Sequence, residues 1–235
     1  FVGQYFPEAS KQRYTAMVEA IRTAFHDRIE RLDWMGPETK AKALAKLAAV
    51  TPKVGYPDHW KDYSALVVGR ESYAANVMSA QRWQFQDNLS KFGKPVDRTE
   101  WDMTPQTYNA YYNPSNNEIV LPAAIFMVPG VPDAQVDDAV AYGYVAASTI
   151  GHEITHGFDD QGRQYDAQGN LSGWWTAQDA ERFNTAAQRM VDEFNAYEPL
   201  PGLHINGKAS LGENIADYGG VLIGLEAFKK TRQYQ

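Results

Sequence analysis

The stretch His152-Glu153-Ile154-Thr155-His156 restricts this chain more than any other, because its chemistry works only on a helix. Residues four apart share one face of a helix, so His152 and His156 can aim two imidazoles at one point. Glu153, beside the first imidazole, can reach a water at that point rather than the ion itself. Zinc accepts neutral imidazole nitrogen and imposes no d-electron geometry, so two histidines and one carboxylate leave a fourth position for water. The pattern predicts a metallohydrolase with one Zn2+ per chain. Its flanks suit a buried helix: Tyr142 to Ile150 is largely small and apolar, and Gly157 can end the helix before Asp159 and Asp160.

The third ligand is expected on another element. Glu213 in Leu211-Gly212-Glu213-Asn214-Ile215-Ala216-Asp217 fits best, because Glu213 and Asp217 are again four apart. One carboxylate can bind the ion while the other accepts the free N–H of a ligating imidazole, either His152 or His156. His204 lies in the turn region Pro199 to Gly207 without a matched partner, and Glu213 is preferred to it.

The remaining sequence reads as scaffold. Glu8 to Asp33 predicts a helix, with Tyr14, Met17, Val18, Ile21, Phe25, Ile29 and Leu32 on one stripe. Gly36-Pro37 breaks it and opens a second helix to about Ala49, and Thr51 to His59 reads as a punctuated loop. A further helix is expected over Gly69 to Leu89, followed by a connector from Lys91 to Asp97. Tyr108, Tyr111 and Tyr112, then Ile119-Val120-Leu121, predict two short strands around an Asn-Pro-Ser-Asn-Asn turn. An edge strand there could pair with an extended peptide. Gln161 to Gly173 reads as loop, and Thr176 to Tyr197 as an amphipathic helix with Phe183, Ala187, Met190, Phe194 and Tyr197 facing the core. His26 and His59 are expected to pack or face solvent.

Composition excludes several function classes. A net charge of −7 without a basic cluster argues against nucleic acid as a partner. No run of eighteen apolar residues occurs, so no membrane contact is expected of this chain itself. With no cysteine, disulfides and thiolate ligands are excluded. The start on Phe1 without a signal segment suggests a fragment or mature form.

His152 to Arg163 (HEITHGFDDQGR) together with Leu211 to Gly220 (LGENIADYGG) resembles the neprilysin and endothelin-converting-enzyme family of zinc metallopeptidases. So do Asn109-Ala110-Tyr111-Tyr112-Asn113-Pro114 and, nearer the start, Leu32-Asp33-Trp34-Met35 and Gly55-Tyr56-Pro57. The resemblance implies an α+β, mainly helical fold, a thermolysin-like zinc peptidase domain with a short antiparallel edge sheet. It implies a helical region over 1–100, the end of the family's N-terminal part, and a catalytic domain over 101–235 truncated at its C-terminus. Internal cleavage of oligopeptides is expected, in an extracytoplasmic setting. His152, His156 and Glu213 would hold the metal, Glu153 would be general base, and Asp217 would orient an imidazole. Asn109 and Ala110 would hold the substrate backbone, and Ile125 would line an apolar pocket. Ser148 and Thr149 depart from the larger apolar residues of the family, as does the lack of an aromatic near Gly130. The family's downstream histidine and arginine have no counterpart between Tyr218 and Gln235, which predicts weak cleavage by these 235 residues alone. The alternatives are a zinc aminopeptidase, which needs a site for a free amine, and a non-catalytic zinc-stabilised binding domain.

Overall fold

The computed structural model describes residues 1–235. After a helical turn at Val2–Tyr5, helix α1 runs over Glu8–Arg31. It buries Tyr14, Met17, Val18, Ile21, Phe25 and Ile29 at the expected spacing. Leu32 leaves the helix in an extended conformation, and Pro37 at the first position opens α2 (Pro37–Ala48), where its missing N–H costs nothing.

Thr51–Gly55 is a strand, β1, rather than the loop expected from its proline and glycine. With β2 (Tyr111–Asn113) and β3 (Glu118–Pro122) it forms a sheet of order β1-β3-β2. β2 pairs antiparallel to β3, as the hairpin pattern predicts, whereas β1 pairs parallel to it. Every residue of β3 is buried, while β1 sits at an edge, where Pro52 is tolerated. The turn between β2 and β3 closes through Asn117 at φ 49°, a left-handed conformation that asparagine accepts more readily than most residues.

Chain order and compactness divide the molecule differently. Residues 1–56 share one compact unit with 103–235, and 57–102 form a second. The division at residue 100 follows chain order; the physical reason the packing does not is the β1–β3 pairing, which builds the N-terminal residues into the same sheet as the later ones. In the second unit, α3 spans Tyr73–Ser90, capped by the Ser72 hydroxyl accepting from the Ala75 N–H. There Tyr63 lies against Trp83 and Lys61 pairs with Asp87 at 2.8 Å.

In the first unit, helix α4 is α-helical over Asp138–Ala141, π-helical over Tyr142–Gly151 and α-helical again over His152–His156. π-Helical turns are rare and concentrate at functional sites. Helix α5 covers Ala177–Asn195 and α6 covers Leu211–Phe228. The α5 stripe is only half-buried, with Tyr197 exposed, and the helix's one buried apolar residue, Val191, is not among those expected. α6 packs along α4 with almost no side chain between the two backbones. A Cβ on Gly220 would lie 2.3 Å from the Ala147 carbonyl oxygen, and one on Gly224 would lie 2.5 Å from the Ala147 Cβ. Glycine at these two positions lets α6 approach closely enough to bring its carboxylates to the histidines.

Candidate metal centre

The last turn of α4 presents the two imidazoles as the four-residue spacing requires. His152 Nε2 and His156 Nε2 face each other at 3.0 Å. Glu213, in the first turn of α6, places Oε2 3.3 Å from the first and 3.6 Å from the second. These three atoms form a triangle of the right size: a tetrahedron with bonds of about 2.0–2.1 Å has edges of about 3.3–3.4 Å. The donor set, two nitrogens and one carboxylate oxygen, suits zinc and leaves one position for solvent.

Each imidazole is fixed by its own carboxylate. Asp217 Oδ1 lies 2.8 Å from His152 Nδ1, so the α6 aspartate faces His152 and not His156. His156 Nδ1 is instead 2.7 Å from Asp159 Oδ2, in the turn just past the helix. With both Nδ1 atoms engaged by acceptors, both Nε2 lone pairs point at the common locus. Burial works against a charged His156, but the hydrogen bond and charge of Asp159 outweigh it and raise the imidazole above its ordinary range. The sequence singled out Asp217 and noted the two aspartates beyond Gly157 without giving either a role. The i,i+3 spacing of His156 and Asp159 was the available signal.

Asp159 is the better anchored of the two partners. It is buried, and its Oδ1 accepts from the N–H groups of Gln161 (2.9 Å) and Gly162 (2.7 Å). The Asp217 side chain is 71 % exposed. Outer-shell partners typically set metal affinity by 10–100-fold. Asp217→Ala is therefore expected to weaken zinc by about tenfold and Asp159→Ala by nearer 100-fold in a competition titration. Equal losses would mean that anchoring of the partner is irrelevant.

Glu153 is buried, 7 % exposed, and lines the same cleft as the three ligand candidates. Burial raises its carboxyl pKa, opposed by the nearby His152 and His156 and by the Tyr112 N–H, which donates to it from β2. A raised carboxyl is what a proton-accepting and proton-returning group needs. β2 is an edge strand of the sheet, and the cleft of about 580 Å³ at the triangle has Asn109, Ala110, Tyr111 and Tyr112 along one wall. A smaller cavity of about 210 Å³ opens next to His152 and Glu153. Tyr108, Ile125, Tyr144, Ser148 and Thr149 line it, so Ile125 shares it with three hydroxyl side chains from the π-helical stretch. His26, His59 and His204 are exposed and lie outside this constellation.

Residues 109–235 match the model of peptidase family M13, and residues 1–57 match a second M13 model covering an N-terminal part. The chain belongs to peptidase family M13. Among M13 relatives, an endothelin-converting enzyme homolog of Locusta migratoria is 39% identical over 240 residues, 99% of this chain and 33% of that protein. Neprilysin-3 of Drosophila melanogaster is 36% identical over 239 residues, 99% of this chain and 30% of its own length. Zinc metalloprotease Zmp1 of Mycobacterium tuberculosis, solved with an inhibitor, superposes with a TM-score of 0.90 at 45% identity, over 97% of this chain and 35% of Zmp1. PepO of Lactobacillus rhamnosis gives 0.85 at 34% identity, over 95% and 35%. This M13 chain thus spans about a third of the length of these relatives. No helix of the M13 chain is long and apolar enough to cross a membrane.

Proposed function

We propose that this chain is the metal-bearing part of a zinc endopeptidase that cleaves oligopeptides internally. One observation carries the reading: three ligand atoms converge from two helices with a buried, proton-accepting glutamate beside them. His152, His156 and Glu213 would hold the metal. When bound, zinc lowers the pKa of a coordinated water toward about 7 and polarises the scissile carbonyl. Glu153 takes the proton of the attacking water and returns it to the departing amine. Asp217 and Asp159 keep both imidazoles in the tautomer that leaves Nε2 free.

The substrate backbone is read as lying along the edge of the sheet at β2, with Asn109 and Ala110, just before the strand, as its contacts, an added strand in the sense of peptide recognition by sheets. A peptide crossing that edge continues past the metal in both directions, which favours internal cleavage over removal of single N-terminal residues. In functional terms, residues 1–100 are read as the end of an N-terminal helical part and 101–235 as catalytic. The separate family matches at 1–57 and 109–235 support this. The parent protein is read as extracytoplasmic. The test uses a full-length parent with a quenched fluorescent peptide, N-terminally free and blocked. Equal, zinc-dependent cleavage of both forms is expected; loss on blocking would favour an aminopeptidase.

The small cavity is read as the seat of one substrate side chain next to the cleaved bond. Thr149 brings a hydroxyl to its wall, so small hydrogen-bonding side chains should be accepted there. Thr149→Val should shift selectivity toward aliphatic side chains by about tenfold, the lower end of what one group in a pocket decides. Mass spectrometry of products from a peptide library reads this directly. Unchanged selectivity would remove the cavity from the substrate path.

A further inference from the structure

Lys46 is a buried cation in the last turn of α2, 1 % exposed, with no carboxylate in direct contact. Its ammonium instead donates to three backbone carbonyls, those of Gly157, Gly162 and Tyr165, each at 2.7 Å. Those are all three of its hydrogens, and all three acceptors lie in the segment immediately following the metal helix. The Phe158 ring stands 5.5 Å away, and the Tyr112 and Trp174 rings 5.9 Å, completing a cage that excludes water. Burial pulls Lys46 down to about 8, resisted by the charges of Asp159 and Asp166.

The contacts run in series. Lys46 holds the carbonyl of Gly162, and the Gly162 N–H donates to Asp159 Oδ1 at 2.7 Å. Asp159 Oδ2 holds His156 Nδ1 at 2.7 Å. Lys46 also holds the carbonyl of Gly157, next to His156, so both ends of the Gly157–Gly162 turn are gripped by one ammonium. The turn is tight against the helix end, since a Cβ on Gly162 would lie 1.7 Å from the His156 carbonyl oxygen. Asn117 secures the lysine in turn, donating to the Lys46 carbonyl at 3.1 Å while accepting from the Tyr112 hydroxyl at 2.9 Å. Charge-assisted hydrogen bonds in a water-free pocket are stiff, and what they fix here is the partner of a metal-facing imidazole.

We infer that Lys46 is a positioning residue for the metal centre, setting the orientation of His156 through the Gly162–Asp159 relay. It touches neither metal nor substrate. The inference rests on the zinc reading given above. A merely structural lysine would lower stability and leave the metal affinity of the folded protein unchanged.

The experiment compares zinc affinity, by competition with a chromophoric chelator, in the full-length parent and its Lys46→Met, Asp159→Asn and doubly substituted forms. Thermal melting of the zinc-free proteins checks folding. Lys46→Met is expected to weaken zinc about 10–100-fold, the size of an outer-shell loss. In the Asp159→Asn background the same change should add less than about twofold, because the relay is already cut. If Lys46→Met does not fold, Lys46→Gln, which keeps two donor hydrogens, carries the same comparison. A folded variant with wild-type zinc affinity overturns the inference, and so does an equal loss in both backgrounds. Failure of the wild-type parent to bind zinc at all would overturn the zinc reading itself, which separates the two failures.

Discussion

Glu153→Gln is expected to keep zinc bound and to cut peptide hydrolysis by about 10²–10⁴-fold, the contribution of a positioned general base. The substitution preserves shape and hydrogen-bonding capacity, so the buried site and the contact from the Tyr112 N–H survive. What is lost is a group able to accept a proton and give it back. Glu153 lies outside the His152–His156–Glu213 triangle, so metal content should not change. Turnover per zinc against one quenched peptide is the measurement. Activity within a few-fold of wild type would mean that another group moves the proton.

The second large effect concerns the ligands. Replacing His152, His156 or Glu213 by Ala would remove one of the three proposed donors, and none of these variants is expected to retain stoichiometric zinc after dialysis. Thermal melting gives an independent readout. Free zinc at about 1,000 times its dissociation constant stabilises a binding protein by about 4 kcal/mol. Wild type should therefore melt higher with added zinc, and each variant should melt at the same temperature with and without it. Glu213→Ala discriminates best, because its side chain is 68 % exposed and its loss opens no cavity. Stoichiometric zinc in that variant would remove Glu213 from the ligand set.

Local periodicity explains what the sequence disclosed. The pairs His152/His156 and Glu213/Asp217 are each four apart, and a four-residue spacing is a statement about one helix face. The stripe from Tyr14 to Ile29 was legible in the same way. Features that depend on distant partners were not. β1 carries Pro52 and Gly55, which locally signal a loop, and it becomes a strand only because β3 supplies a buried partner 67 residues later in register, Thr51 opposite Glu118. Nothing local sets Lys46 apart from the other lysines of α2, since its three acceptors are 111, 116 and 119 residues away. Which imidazole Asp217 faces depends on how α6 crosses α4, and that is set by Gly220 and Gly224 against Ala147 rather than by either four-residue spacing.

The π-helical stretch Tyr142–Gly151 makes residue count matter as much as residue identity. Each residue of a helix turns the chain by about a quarter turn, so one residue lost from this stretch would swing His152 by about that much relative to α6. The imidazole would then miss both Glu213 and Asp217, although every motif in the sequence stayed intact. Over evolutionary time such a segment should exchange side chains far more freely than it gains or loses a position. Insertions and deletions in descendants of this chain should accumulate elsewhere, in loops whose length the metal does not feel.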